Sequence, residues 1–210
     1  TNAEALVEVK KLAFELRRLG VKAGDVVALD LPDQLSILFT EAVFHEAAIG
    51  TVIPDDAVTD GVMTVDWMFT SRASARGRGA RVVMVDGRFL REVDQNPIGI
   101  EPSDAPTDTL RIAFSSGTTG TPHAIALARA MELSLDAALE TWFRGGPSLV
   151  LMDTGTAWGI GEFFLSVKGG QPYLSVGGAR PEAIVRLAAR AGVRTLKGSP
   201  AQIAAVVAEL

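Results

Sequence analysis

Cysteine, an excess of positive charge and long hydrophobic runs are all missing from this sequence, and each absence excludes a class of protein. Without Cys the chain can form neither a disulfide framework nor a thiolate metal site, and this composition suits the cytoplasm, where we expect the protein. No run of about 18 apolar residues is present, so we expect no membrane span. Lys and Arg number 20 against 25 Asp and Glu, and the resulting net charge of −5 argues against a nucleic-acid partner, whose phosphates bind Lys and Arg.

The remaining composition is that of a globular protein. Of the 210 residues, 48% are hydrophobic and 21% are charged, which excludes a disordered chain, a collagen and a coiled coil. The sequence starts at Thr1 without a Met and ends in an apolar stretch over 203–208. We therefore expect a piece of a longer protein, in which a missing C-terminal half or a second copy in a dimer covers apolar surface. The alternative is a complete, Ala-rich domain.

Helical and strand patterns alternate in the first half of the chain. Thr1 and Glu4 have the spacing of a capping box at the start of a helix, and Gly20 can end that helix. The apolar run Val26–Leu29 predicts a buried strand. The other predicted elements are a helix over 35–49 that Gly50 ends, a strand over 51–54, a helix over 66–75 and a strand over 81–85. A stretch rich in Pro and Asp over 94–108 predicts a linker or surface loop.

The second half repeats the alternation. Strands are predicted over 110–114, 124–127, 148–151, 172–176 and 194–197, and helices over 129–143, 157–167, 181–191 and 200–210. The strand runs are apolar throughout rather than alternating, as expected when helices cover both faces of a parallel sheet. The sequence therefore predicts an α/β fold with mostly parallel sheets flanked by helices, arranged as two lobes over 1–105 and 106–210.

A segment dense in hydroxyl groups and glycine joins two of these strands. It reads Ser115-Ser116-Gly117-Thr118-Thr119-Gly120, followed by Thr121, Pro122 and His123. Glycine lets the backbone approach a ligand, successive N–H groups form an anion nest, and the hydroxyls add donors for phosphate oxygens. Neither the Walker pattern nor the Rossmann G-x-G-x-x-G pattern is present. These residues indicate a polyphosphate cradle; the alternative is an ordinary Ser/Thr/Gly turn.

The same segment resembles the phosphate-binding loop of the adenylate-forming (AMP-binding) superfamily, which includes acyl-CoA synthetases, firefly luciferase and the adenylation domains of peptide synthetases. That loop reads roughly [ST]-[ST]-G-[ST]-T-G-x-P-K-G. Three further segments are similar to family motifs and follow in the family's order: Gly24–Leu29, Ala47–Pro54 and Val193–Pro200. The resemblance spans nearly the whole chain and corresponds to the first half of the large domain of an acyl-CoA synthetase.

This resemblance implies an ATP-dependent ligase that works in two steps. A carboxylic acid and ATP give an acyl-adenylate and pyrophosphate, and a thiol, usually coenzyme A, then takes the acyl group; a fatty acid is the default substrate. The loop residues would hold the β and γ phosphates, whose leaving charge needs preorganised donors: Ser115, Ser116, Gly117, Thr118, Thr119 and Gly120. Mg²⁺ would bridge phosphate oxygens and share that task.

Two residues depart from the family pattern. His123 stands where the family has Lys, so a permanent positive charge beside the phosphates is lost or becomes pH-dependent; the alternative is a surface His at the start of a strand. Trp158 stands where the family often has a His near the acyl pocket, and it could line that pocket or lie buried in the core. Both departures favour an alternative function, a degenerate non-catalytic nucleotide-binding or assembly module of the same fold.

The family's later motifs, which supply a Mg²⁺-binding Glu, a ribose-binding Asp and a C-terminal Lys, would lie beyond Leu210. We therefore assign no catalytic residue and expect these 210 residues alone to be inactive.

Other candidate residues indicate structure rather than chemistry. Asp153 begins an Asp-Thr-Gly sequence, the form of an aspartic protease motif, but that motif needs an all-β chain, so a turn is the preferred interpretation. His45 has no second His or Cys at ligand spacing, and no metal site is assigned. Four arginines over 72–81 predict a solvated helix end rather than a nucleic-acid patch. Glu41 and Glu46 are interpreted as surface carboxylates.

Overall fold

The computed structural model describes residues 1–52, 63–73, 77, 79–104, 108–114, 123–128, 147–176 and 179–210. The chain divides into two compact units, Thr1–Arg129 and Ala130–Leu210, which are described separately. In the described residues, no helix is long and apolar enough to cross a membrane.

The first unit is built on a six-stranded sheet. Its described elements are α1 (Asn2–Leu19), β1 (Val26–Asp30), α2 (Asp33–His45), β2 (Ile49–Val52), β3 (Trp67–Thr70), β4 (Arg81–Met84), α3 (Gly87–Asp94), β5 (Thr109–Phe114) and β6 (Ala124–Ala128). The strand order is β4-β3-β1-β2-β5-β6. Every neighbouring pair is parallel except β5 and β6, which are antiparallel. The predicted α/β class with mostly parallel sheet is confirmed.

The helix α1 forms where its end signals predict it. The Thr1 side chain accepts a hydrogen bond from the Glu4 N–H, and the Glu4 side chain completes the capping box. Gly20 ends the helix with φ of 97°, a left-handed conformation that glycine adopts without a Cβ penalty. The inner face of α1 packs with α2, α3 and one face of the sheet around an aromatic cluster of Phe39, Phe69 and Phe89.

The second unit contains a three-stranded parallel sheet. Its described elements are β7 (Ser148–Val150), α4 (Ala157–Lys168), β8 (Tyr173–Ser175), α5 (Pro181–Ala191), β9 (Thr195–Lys197) and α6 (Pro200–Val207). The order is β8-β7-β9, so the first strand lies in the centre. Both α5 and α6 have Pro in the first turn, and Ser199 caps α6 in a capping box with Gln202. Leu149 and Leu151 pack with α5 and α6 on one face of this sheet.

Two of the sequence predictions for individual elements are wrong, and one helix of the structure is not predicted. The residues Trp67–Thr70 form a buried strand, not part of a helix over 66–75, because an apolar run of this length fits a strand better than a helix. The helix α2 ends at His45 and Gly50 lies in β2, because Ala47, with φ of 55°, turns the chain into the strand. The helix α3, capped by Asp86, falls outside every predicted helix. The helix predicted over 129–143 lies outside the described residues.

Candidate functional site

The two strands that flank the hydroxyl-rich segment pair with each other. Phe114, the last residue of β5, lies opposite Ala124, the first residue of β6. Ser115–Gly120, with Thr121 and Pro122, lie outside the described residues, so the roles predicted for them remain predictions. His123 is exposed and directly precedes β6. The pairing of β5 with β6 places Phe114 and Ala124, which flank the candidate phosphate loop, side by side.

The loop also begins at the edge of the sheet where ligands bind in this class of fold. The strand β5 runs parallel to β2, which in turn runs parallel to β1. The carboxyl end of β5, where the loop starts, therefore lies at the same edge as the carboxyl ends of β1 and β3. The strands β2 and β3 lie on opposite sides of β1, and such a reversal of strand order marks the edge at which ligands bind in open α/β sheets.

Charged and hydroxyl groups meet at this edge. The Thr70 hydroxyl, at the end of β3, donates to Asp30 Oδ2 at 2.6 Å, and Arg72 Nε donates to the same oxygen at 2.7 Å. Asp30 and Thr70 are buried. Arg72 was predicted to lie at a solvated helix end; it instead follows a strand and forms an ion pair with Asp30. This network connects Arg72 to the ends of β1 and β3.

Asp153 has a structural role in the turn before α4, and no catalytic role is needed to explain it. The Asp153 carboxylate accepts a hydrogen bond from the Gly155 N–H at 2.6 Å, and the Thr156 hydroxyl caps the helix by accepting from the Gly159 N–H at 3.0 Å. The chain is α/β, and Asp153 therefore has the turn role that the sequence favoured. Trp158 lies in the first turn of α4 and is 61% exposed, so it is not a core residue.

Two glycines in α4 have opposite surroundings, which gives a matched pair of substitutions. A Cβ at Gly159 would collide with the Asp153 carbonyl oxygen, whereas a Cβ at Gly161 would meet no atom within 4 Å. We expect Gly161→Ala to raise the free energy of unfolding by about 0.5–1 kcal/mol, because alanine is the better helix former. We expect Gly159→Ala to lower it by about 1 kcal/mol or more, because the backbone must shift. Urea denaturation of both variants checks this; equal effects would contradict the described packing.

The second unit contains a buried ion pair that the sequence alone does not predict. Lys197 Nζ, at the end of β9, donates to Glu162 Oε2 of α4 at 2.6 Å. The side chains are only 9% and 1% exposed. The other carboxylate oxygen, Glu162 Oε1, is buried and has no hydrogen-bond partner in the described part of the chain. The available signal is that Glu162 is the single acidic residue of a mostly apolar helix.

The interpretation of Glu46 as a surface carboxylate is wrong. Glu46 is buried and accepts hydrogen bonds from Arg17 Nε at 2.8 Å and Arg17 Nη2 at 3.0 Å. Ser103 Oγ and His45 Nδ1 lie within 3.3 Å of the same carboxylate. This cluster joins the end of α2 to α1 and to the segment before β5, so His45 has the structural role predicted for it.

Two known proteins, named as a synthase and a synthetase, are similar to this chain in sequence. No family model matches the chain. The chain is 26% identical over 223 residues to N-(5-amino-5-carboxypentanoyl)-L-cysteinyl-D-valine synthase of Amycolatopsis lactamdurans, covering 97% of this chain and 6% of that protein. It is 23% identical over 179 residues to cyclochlorotine synthetase of Talaromyces islandicus, covering 76% of this chain and 3% of that protein.

Solved structures of synthetases share the fold. The O-succinylbenzoate coenzyme A synthetase of Bacillus subtilis in complex with AMP superposes with a TM-score of 0.82 at 16% identity, over 100% of this chain and 58% of that one. An acyl-CoA synthetase of Brucella canis gives 0.77 at 19% identity, over 99% and 43%. ATP-bound MatB of Rhodopseudomonas palustris gives 0.81 at 17%, over 98% and 45%. The resemblance to adenylate-forming enzymes is thus confirmed for the fold, of which this chain spans the N-terminal part.

Proposed function

We propose that this chain is the N-terminal part of an ATP-dependent, AMP-forming ligase that activates a carboxylic acid as its acyl-adenylate. One observation carries the proposal. The hydroxyl- and glycine-rich segment follows the carboxyl end of β5, at the edge of a parallel sheet whose strand order reverses at β1. The solved structures of this fold include one named as an AMP complex and one named as ATP-bound, which supports a nucleotide ligand.

The proposed chemistry of the loop is electrostatic. Ser115, Ser116, Thr118 and Thr119 supply hydroxyl donors, and the two glycines permit the close backbone approach that a phosphate requires. Preorganised donors of this kind stabilise the charge that develops on departing pyrophosphate. Mg²⁺ on the phosphate oxygens supplies further charge neutralisation when ATP is bound. His123, which is exposed and directly precedes β6, is proposed to act on the phosphates at the same end of the strand pair.

The remaining assignments follow from the proposed reaction. Trp158 lines the acyl pocket, a role consistent with its exposed ring. Coenzyme A is the acceptor, a fatty acid is the default substrate, and the protein acts in the cytoplasm. The chain forms part of one AMP-binding domain. The share of the solved chains that it spans, 43–58%, fits an expectation that these residues alone do not complete the reaction.

ATP binding tests the loop assignment. We expect Thr118→Ala combined with Thr119→Ala to weaken binding of ATP·Mg²⁺ about 30-fold, because each lost hydrogen bond to a charged phosphate costs at least about 1 kcal/mol. Isothermal titration calorimetry on the 210-residue chain measures the change. Thr64→Ala is the matched control, since Thr64 is exposed and lies outside the loop.

Unchanged affinity in the double variant would remove the loop from the nucleotide site. A second outcome concerns a longer protein that contains this chain. If that protein binds ATP through the loop but gives no acid-dependent pyrophosphate exchange, the result would favour a non-catalytic module of this fold.

A further inference from the structure

A cleft between α1 and α3 in the first unit has an entirely polar lining. Its volume is about 610 Å³, which lies in the size range of small-molecule sites. In the described part of the chain, every residue that lines it is charged or carries a side-chain amide, and the charged ones are Glu15, Arg18, Arg88, Arg91 and Glu92. Sites for apolar ligands have a mostly apolar lining, so this cleft suits a charged ligand instead.

The α1 wall of the cleft is held in place by a buried carboxylate. Glu15 Oε2 accepts hydrogen bonds from Arg18 Nε at 2.9 Å and from Asn96 Nδ2 at 3.1 Å, and Glu15 Oε1 accepts from Arg18 Nη2. The Glu15 side chain is buried, whereas that of Arg18 is 54% exposed. A guanidinium has five N–H donors, of which Glu15 takes two. Arg18 is therefore fixed in orientation and presents further donors to the cleft.

The α3 wall carries two more guanidinium groups. Arg88 Nε donates to Glu92 Oε1 at 3.0 Å, but the Arg88 side chain is 81% exposed, and such an exposed ion pair contributes little to stability. Arg91 is also exposed and lies three residues further along α3, so the two arginines are neighbours on the helix surface. An anion in the cleft can therefore recruit both at little cost.

The charge of the cleft is opposite to that of the whole chain. Three arginines and two glutamates line it, which leaves a surplus of one positive charge on a chain with a net charge of −5. Asp86, which precedes α3, accepts hydrogen bonds from the Arg88 and Phe89 N–H groups, so the helix end already compensates its carboxylate. A local positive field in a concave site attracts anions.

We propose that this cleft binds a small polyanion that carries two phosphate or carboxylate groups. Because Arg18 belongs to α1 whereas Arg88 and Arg91 belong to α3, a ligand that bridges the walls needs an anionic group for each of them. The planar guanidinium fork matches both phosphate and carboxylate oxygens. The Gln95 amide, at the end of α3, adds an uncharged donor. The lining residues do not include the candidate phosphate loop, so this site is additional to the proposed function.

Titration of the 210-residue chain with matched anions tests the number of anionic groups and their chemistry. The probes are pyrophosphate against phosphate and succinate against acetate, at constant ionic strength, followed by backbone amide chemical shifts in nuclear magnetic resonance spectra. We expect pyrophosphate, succinate or both to bind about tenfold more tightly than the one-group counterpart and to shift the amides of α3. The tighter of the two identifies the group. Equal affinity of one-group and two-group anions in both pairs, or no shift in α3, overturns the proposal.

A charge-matched pair of double variants separates a specific site from general attraction. Combining Arg88→Gln with Arg91→Gln should weaken binding of the preferred anion at least about tenfold, because both forks of the α3 wall are lost. Combining Arg186→Gln with Arg190→Gln removes the same charge from exposed positions on α5 and should change the affinity less than about twofold. Equal losses in the two double variants, or unchanged affinity in the first, contradict the site.

The candidate phosphate loop is tested separately, because it could also take up pyrophosphate. The combined Thr118→Ala and Thr119→Ala variant should keep the anion-dependent shifts of α3. If these shifts vanish in that variant, the anion acts through the loop, and the cleft falls while the loop assignment stands. If the loop substitutions leave ATP affinity unchanged while the arginine substitutions abolish anion binding, the ligase function falls and the cleft stands.

Discussion

Replacing Glu41 with glutamine is expected to raise the free energy of unfolding by about 2–3 kcal/mol at pH 8 and to leave it nearly unchanged at pH 4. Glu41 is a half-buried residue of α2, and burial raises the pKa of its carboxyl group to about 7. The cause is desolvation, since removing a carboxylate from water disfavours its charged form. Glu41, which the sequence suggests is a surface carboxylate, is half-buried in the structure.

The direction of the pH dependence follows from the two pKa values. In the unfolded chain the Glu41 carboxyl ionises near its model value of 4.5, whereas in the folded chain it keeps its proton until about pH 7. The folded state thus binds more protons between these values, and its stability falls as pH rises from about 4.5 to about 7. Above that range the full cost of the buried charge is present. Glutamine carries no charge at any pH, so the variant lacks this contribution.

Urea denaturation at pH 4, 6 and 8 measures the difference between the two proteins. The curves of stability against pH should diverge through the interval from about 4.5 to 7 and then run parallel. Glu101→Gln is a suitable control, because Glu101 is exposed and should show no divergence. Parallel curves for Glu41→Gln across the whole range would mean that the carboxyl group is well solvated.

The sequence predicts correctly those helices whose ends are determined by adjacent capping residues. The helix α1 carries its own capping box and a C-terminal glycine, and α6 carries Ser199 and Pro200, so both starts are determined by adjacent residues. The pattern around β3 favours a helix although the residues form a strand, because its three apolar residues, Trp67, Met68 and Phe69, carry no periodicity. The helix α3 was missed although Asp86 accepts from the Arg88 and Phe89 N–H groups, since only two of its residues are buried.

The candidate sites also differ in whether their residues are adjacent in the sequence. The hydroxyl- and glycine-rich loop is contiguous in sequence, so its composition and its position between two strands could be recognised directly. The ion pairs could not, because Lys197 and Glu162 are 35 residues apart and Arg17 and Glu46 are 29 residues apart. Such pairs depend on which elements become neighbours in the sheet and on the helix register. Only a packed structure shows that the lone acidic residue of α4 lies against the end of β9.

Replacing Lys197 with methionine is expected to lower the free energy of unfolding by about 3–5 kcal/mol. The substitution removes the ammonium group that lies 2.6 Å from Glu162 Oε2. The Glu162 carboxylate then stays buried without this group, and its Oε1 has no hydrogen-bond partner in the described part of the chain. An uncompensated charge in the interior is more costly than the loss of the ion pair itself, because the desolvation of Glu162 remains. Lys22→Met is the control, since Lys22 is exposed.

A double variant separates the cost of the unpaired charge from the value of the ion pair. Combining Lys197→Met with Glu162→Leu removes both charges, and we expect most of the lost stability to return, because apolar side chains of similar volume often replace a buried ion pair without loss. Guanidinium denaturation of the wild type, both single variants and the double variant completes the cycle. If the double variant is as unstable as Lys197→Met alone, packing at this position, and not the buried charge, determines the loss. Recovery would show that α4 and β9 tolerate an apolar contact here and that the unpaired charge, not the loss of the ion pair, causes the destabilisation.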